Sequence, residues 1–478
     1  MQDCMTHFFI VAVTLCAALK VHAHSCYYFI NNDPAGPRCG GRQGSTPDEF
    51  SKCVACATKA KPSEPKSYIP CTEKLIDDAC HGILPPEPPS SGALKLTLLS
   101  KAAQDKGAVC LDGSPAGYYW RQGQGDEKTN FLLVFNGGGW CRGITLEEAK
   151  QDCADRATGK LGSSKTWSTH LKQDAHGMTS SNCTINPAFC RWSVAYIYYC
   201  DGASFSGDNA DPVTVTGAKI SPIYFRGKRV LDANLAHLIQ VRGLQNATAV
   251  VLSGHSAGGL ATYLHADYVR TKLPASLAFF AAVPDAGFFL DHSRFGFGDK
   301  YFGTGMRTTW ALANASGSLN AACTTAHAAS PLDCIFPEHF ARFIETPLHV
   351  TQSQYDLYQL ESILQLGCHP PKDNCNSSQL QSFQQYRIDT MSALNASGLY
   401  RRRQGHGMWN DACIAHTQGY YGDYMDNHAW EVPAQSGITL ARSLEMWLSA
   451  SMRNGNNTDN VHVDVESWPH NQPCSRSG

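Results

Sequence analysis

The sequence predicts an α/β fold for its larger part, a mainly parallel sheet with helices on both faces, preceded by a small disulfide-rich module. Three observations lead there. Apolar, β-branched runs alternate with stretches of helical periodicity from Phe131 onward. One of those runs passes through Gly254-His255-Ser256-Ala257-Gly258 straight into a helical pattern. Finally, a proline-rich stretch near residue 90 separates a short cysteine-rich segment from roughly 385 residues, a length common for an α/β core with insertions.

The strand segments, in order, are Phe131–Phe135, Val194–Tyr199, Ala249–Leu252, Leu277–Val283 and Pro347–Thr351. Helical patterns interleave with them near 231–243, 259–272 and 438–453. Ligands in such folds bind beyond the carboxyl ends of the strands, which is where Ser256 falls.

With 41 Gly in 478 residues, a GxSxG pattern arises by chance in about one such chain in four. Its flanks carry the assignment. Val250–Leu252 reads as a buried strand, and Leu260, Tyr263, Leu264 and Val269 suit the helix that follows. A strand–GxSxG–helix unit is the nucleophile elbow of α/β-hydrolase-like folds, in which a strained serine presents its hydroxyl above the sheet. A second glycine cluster, Phe135-Asn136-Gly137-Gly138-Gly139-Trp140-Cys141, follows the first strong strand. A loop at that position donates backbone N–H groups to an oxyanion. The expected donors come from Gly138, Gly139 and Trp140, together with Ala257. Trp140 is also expected to wall the pocket.

A triad in the order Ser, Asp, His needs an acid after a later strand and a histidine beyond it. Asp356 is the preferred acid, because it lies in the loop after the strand ending at Thr351. Asp285 also follows a strand and is expected to be structural. Spacing leaves the base open between His406 and His416.

Residues 7–19 form an apolar run too short to span a bilayer, and Val21-His22-Ala23 offers small residues for cleavage, so 1–23 reads as a signal peptide. No later run approaches membrane-span length. Of 20 cysteines, Cys4 and Cys16 lie in that signal and 18 remain, an even number expected to form disulfides in an oxidising compartment. Six sequons, at Asn182, Asn246, Asn314, Asn376, Asn395 and Asn456, fit a secreted glycoprotein. A cysteine-rich module spans 24–82, a linker 83–93 and a catalytic domain 94–478. Within the module, Cys53 and Cys56 have CxxC spacing, but no second such pair accompanies them, and a disulfide is favoured over a metal. A net charge of −2 gives no sign of a nucleic-acid partner. A monomer needing no cofactor or metal is expected.

Five segments in order, FNGGGWC, YCDGASFSGD (Tyr199–Asp208), YFRG (Tyr224–Gly227), SGHSAGG (Ser253–Gly259) and PDAGFF (Pro284–Phe289), resemble the pectin acetylesterase family, whose animal branch is Notum. The resemblance runs from about Val109 to Gln418. It implies a carboxylesterase in which Asp356 is the acid and His416 the base of Ser256. Plant-type members usually carry Glu where this chain has Asn136 and often Cys where it has His255. The expected substrate is an O-acetyl ester on pectin or another acetylated polysaccharide. A Notum-like removal of a longer fatty acyl group from a protein is the alternative. A catalytically silent secreted binding protein is an alternative of another class.

Overall fold

A computed structural model describes residues 93–171, 177–368, 370, 373–400, 405–420, 425, 430–453 and 460–470. The signal peptide, the cysteine-rich module, all but the last residue of the linker, and the sequon at Asn456 lie outside the described residues.

The described chain builds one ten-stranded sheet and one two-stranded sheet. The large sheet comprises β1 (Leu94–Leu98), β2 (Gly117–Arg121), β3 (Asn130–Phe135), β4 (His170–Leu171), β5 (Ser193–Ile197), β6 (Ala249–His255), β7 (Phe279–Asp285) and β8 (His349–Thr351). The pair β9 (Tyr355–Asp356) and β11 (Ile414–Ala415) forms the small sheet, and β10 (Gly407–Asn410) and β12 (Val461–Val463) complete the large one. Its order is β12-β10-β8-β7-β6-β3-β5-β2-β1-β4. From β12 to β5 every neighbouring pair is parallel. β2, β1 and β4 add an antiparallel edge.

Every strand segment read from the sequence lies in the parallel block. β3, β5 and β6 are buried along their whole length, as strands covered on both faces must be, and so they read as continuous apolar runs. Helices Gly227–Val241, Ala257–Lys272 and Leu440–Met452 correspond to the three helical patterns. The crossover helix Ala257–Lys272 joins parallel β6 and β7 and buries Leu260, Ala261, Tyr263, Ala266 and Val269.

The sequence reading does not include the antiparallel edge, β10 and β12, or the helices Leu146–Arg156, Tyr301–Leu312 and Ser377–Ala396. The last has 20 residues yet buries only Phe383, Tyr386, Thr390 and Leu394, so its apolar stripe is thin among Gln and Ser. A capping box holds its start, with Asn376 and Gln379 each accepting the other's backbone N–H.

Disulfides join Cys110–Cys200, Cys141–Cys153, Cys183–Cys190, Cys323–Cys334 and Cys368–Cys375. Cys110–Cys200 closes the longest of these loops, 90 residues, linking the chain just before β2 to the chain just after its neighbour β5. Replacing both cysteines by Ala is expected to cost about 2–4 kcal/mol and to lower Tm by roughly 2–5 °C. Scanning calorimetry of the double variant checks this, and an unchanged melting profile would refute it.

Candidate active site

β6 ends at His255, and Ser256 takes φ 56° and ψ −123° before its helix begins. A positive φ is strained for a residue bearing a Cβ and persists only where the surroundings enforce it. Here the Ser256 N–H donates to the Asp285 carbonyl at 3.0 Å, and the Ser256 carbonyl accepts from Leu260 N–H at 2.9 Å. The flanking glycines are required by close approach. A Cβ on Gly254 would sit 2.3 Å from the Gly258 carbonyl oxygen, and one on Gly258 would sit 2.1 Å from that of Phe135.

After β3, Gly138 and Gly139 adopt φ of 140° and 64°. The Arg156 guanidinium donates through Nη2 to the Gly138 carbonyl at 2.9 Å and the Gly139 carbonyl at 3.4 Å. Across planar trans peptides, the N–H groups of Gly139 and Trp140 then point away from the guanidinium. Among the described residues these two N–H groups donate no hydrogen bond. The Gly138 N–H is likewise opposed to the Gly137 carbonyl, which accepts from Asn136 Nδ2 at 2.6 Å. Ala257 opens its helix, where the first N–H groups have no intrahelical acceptor.

The two positions that depart from the plant-type pattern both hold this loop. Besides Asn136, His255 contributes Nε2, which accepts from Gly137 N–H at 3.3 Å and lies 2.8 Å from the Tyr196 hydroxyl. Burial, with the nearby charge of His416 as a smaller cause, pushes the His255 imidazole down to about 3. It therefore stays neutral and keeps its acceptor.

His416 and Asp356 are brought together by the two-stranded sheet, in which Ala415 pairs with Asp356. His416 Nδ1 lies 2.8 Å from Asp356 Oδ2. The buried Asp356 carboxylate also accepts from Gln359 N–H at 3.0 Å and Gln352 Nε2 at 3.3 Å. His416 Nε2 is buried with no hydrogen-bond partner among the described residues. His406, the other candidate, precedes β10 and so lies at the amino end of the parallel strands, away from Ser256. Among the described residues Asp285 pairs with no histidine. Its carbonyl takes Ser256 N–H, and its Oδ2 takes Gly419 N–H at 3.1 Å, so one buried residue ties the serine turn to the histidine loop. Burial raises its carboxyl well above the usual range, with Asp356 adding repulsion.

Two further residues of this region are invisible to motif reading. Ser204 Oγ accepts from Trp140 Nε1 at 2.7 Å and donates to the Ala257 carbonyl at 2.8 Å, bridging the glycine loop to the serine helix. Its segment is flagged by YCDGASFSGD, though nothing there singles out the residue. Arg156 has no motif signal. Tyr358 stacks on the His416 ring at 5.5 Å between centroids and Phe289 meets it at 6.4 Å, and Trp140 packs on both of these aromatic rings.

The fold is that of an α/β-hydrolase, with the serine turn, glycine loop, acid and histidine all beyond the carboxyl ends of parallel strands. The profile of the family described as Pectinacetylesterase matches residues 89–475. Pectin acetylesterase 5 of Arabidopsis thaliana is 32% identical over 365 residues, covering 73% of this chain and 79% of its own. Palmitoleoyl-protein carboxylesterase notum1a of Danio rerio is 24% identical over 386 residues, covering 77% of this chain and 70% of its own. The solved Wnt deacylase Notum from Drosophila shares the fold, with a TM-score of 0.65 at 23% identity over 80% of this chain and 99% of its own. The chain belongs to the pectinacetylesterase family, and it is a carboxylesterase.

His255→Leu removes the acceptor used by Gly137 N–H and the Tyr196 hydroxyl inside the core. A loss of about 1–3 kcal/mol is expected, with part of it recovered in His255→Gln. Urea unfolding of the three proteins checks this, and a His255→Leu midpoint equal to the parent's would overturn it.

Proposed function

We propose that the protein is a secreted serine esterase that removes O-acetyl groups from pectin or another acetylated polysaccharide. The observation that carries the mechanism is the His416–Asp356 pair at 2.8 Å, with a buried, unpartnered Nε2, in a loop tied through Asp285 to the Ser256 turn. His416 Nε2 takes the Ser256 hydroxyl proton as Oγ attacks the ester carbonyl carbon. The N–H groups of Gly139, Trp140 and Ala257, with Gly138 beside them, hold the oxyanion. The intermediate collapses to acyl-Ser256, and His416 returns the proton to the departing alcohol. A water then gives its proton to His416 and attacks the acyl group, and His416 returns that proton to the Ser256 oxygen as its bond to the acyl carbon breaks and acetate leaves. Asp356 fixes the imidazole so that Nε2 faces the reaction, and it stabilises the imidazolium.

Acetate as the acyl group is supported by the 32% identity to a pectin acetylesterase over most of the chain, against 24% to a palmitoleoyl-protein carboxylesterase over a similar length. Secretion is supported by the amino-terminal apolar run, by the disulfides, and by exposed sequons at Asn182, Asn246, Asn314, Asn376 and Asn395. Among the described residues no helix is long and apolar enough to cross a membrane. The division at 24–82, 83–93 and 94–478 remains our reading of the chain, with the last segment as catalytic domain.

Acetate released from acetylated pectin and acetylated xylan is the deciding measurement. Ser256→Ala is expected to abolish release, and Asp356→Asn to lower kcat about 10⁴-fold. Arg156→Ala, which frees the glycine-loop carbonyls, should lower kcat by about tenfold to a hundredfold. Release that persists in Ser256→Ala would sink the mechanism, and serine-dependent release of fatty acid but not acetate would sink the substrate assignment.

A further inference from the structure

Three aromatic rings and one imidazole enclose the space next to the proposed oxyanion donors. Trp140 and Phe289 meet edge to face with centroids 4.9 Å apart. Tyr358 touches every other member of the group: it stacks on His416 at 5.5 Å and meets Phe289 at 5.8 Å and Trp140 at 6.1 Å. Its hydroxyl lies 3.8 Å from where a Cβ of Gly139 would stand. The ring of Tyr358 therefore reaches from the proposed base to the glycine loop.

Its position is fixed by the chain. Tyr358 follows Asp356 by two residues, in the first turn of the helix Leu357–Ser362, whose N-cap is Asp356 itself. The carboxylate that orients His416 thereby also orients the helix that carries Tyr358. At the other end of the ring, the hydroxyl lies near Ser362 and the exposed Arg142. Behind the group, Phe302 packs on both Trp140 and Phe289, and Phe336 packs on Phe302. The wall away from Tyr358 is thus already filled with aromatic side chains.

An acyl group whose carbonyl oxygen points at Gly139 and Trp140 must send its alkyl chain past these rings. We propose that Tyr358 sets the acyl-chain length of the enzyme, its ring filling the space that a longer chain would need and restricting the acyl group to acetyl or one of similar size. This rests on the esterase reading above. Phe289 and Trp140 pack against many other core groups, whereas Tyr358 is half-exposed on a short helix. It is the wall member whose removal opens space without emptying the core. Each methylene the opened site buries strengthens binding about fourfold, so octanoyl over acetyl gives ample range for a measurable change.

The test is kcat/KM for p-nitrophenyl acetate, butyrate and octanoate with the parent, Tyr358→Ala, Tyr358→Phe and Ser256→Ala. The parent is expected to favour acetate over octanoate by at least tenfold. Tyr358→Ala should raise the octanoate-to-acetate ratio at least tenfold, while Tyr358→Phe, which keeps the ring, retains the parent's ratio. A parent already faster on octanoate overturns the proposal without any variant, so it stands open to refutation even if Tyr358→Ala fails to fold. A ratio unchanged within twofold in folded, active Tyr358→Ala also overturns it and leaves the esterase reading intact. Failure of that reading shows differently, as hydrolysis equal in the parent and Ser256→Ala, and it takes the gate with it.

Discussion

Backbone touching backbone at the start of the helix Ala257–Lys272 is the constraint on which the rest of the site depends. A Cβ on Gly258 would collide with the Phe135 carbonyl of β3, one on Gly259 would lie 2.4 Å from the Asp285 carbonyl of β7, and one on Gly287 would lie 2.3 Å from the Gly259 carbonyl carbon. The first helical turn is thus wedged between the carboxyl ends of strands on either side of β6, with no side chain to give way. Such packing transmits displacement instead of absorbing it. It sets the serine turn, the glycine loop and Asp285 at fixed distances before any catalytic group is added. The strain at Ser256 has company: Ser204, Phe205, Ala286 and Thr417 also adopt positive φ without being glycine. All four lie on the loops that meet here, where over-determined packing can hold them.

Asp356 and His416, the proposed acid and base, are positioned by less regular means. Hydrogen bonding gives different tasks to three of the aspartates buried around the histidine loop, Asp285, Asp356 and Asp411. Asp411 accepts from Cys413 N–H at 2.9 Å and from Gln418 Nε2 at 2.9 Å, and Asp285 accepts from Gly419 N–H. Both are pushed up by burial, and acidic neighbours, Asp356 for Asp285 and Asp464 for Asp411, push them further. They serve as anchors for the chain on either side of His416. Asp356 alone of the three bonds to the imidazole, and it does so while capping the helix that follows it. Neighbouring carboxyls thus part into scaffold and charge according to what each can donate or accept.

These differences explain what could be read from the sequence. β3, β5 and β6 announce themselves because strands buried on both faces must be apolar throughout, and the Ser256 turn because only glycine fits beside it. The helix Ser377–Ala396 escapes such reading, since four buried residues in 20 leave little periodicity. Strands β9 and β11 have two residues each, too few to carry a pattern, yet their pairing is what sets Ala415 opposite Asp356. Spacing therefore left His406 and His416 level, and only the resemblance chose between them. Arg156 and Tyr358 act through contacts across 18 and 60 residues or so of chain, with carbonyls and rings that no local motif specifies.

The two departures from the plant-type pattern gain a common meaning in three dimensions. Asn136 donates to the Gly137 carbonyl and His255 accepts from the Gly137 N–H, so the two peptide units that meet at Gly137, at the root of the glycine loop, are each gripped by one side chain. Both grips are neutral: Asn carries no charge, and burial keeps the His255 imidazole unprotonated. That matters under the mechanism proposed above, in which negative charge develops beside the loop. A carboxylate at position 136 could not donate to the Gly137 carbonyl, and in a water-poor site its charge would oppose a neighbouring oxyanion. A cysteine at position 255 would offer only a weak acceptor to Gly137 N–H. Asn136 and His255 together therefore grip Gly137 through neutral hydrogen bonds, while the Arg156 guanidinium holds the next two carbonyls of the loop.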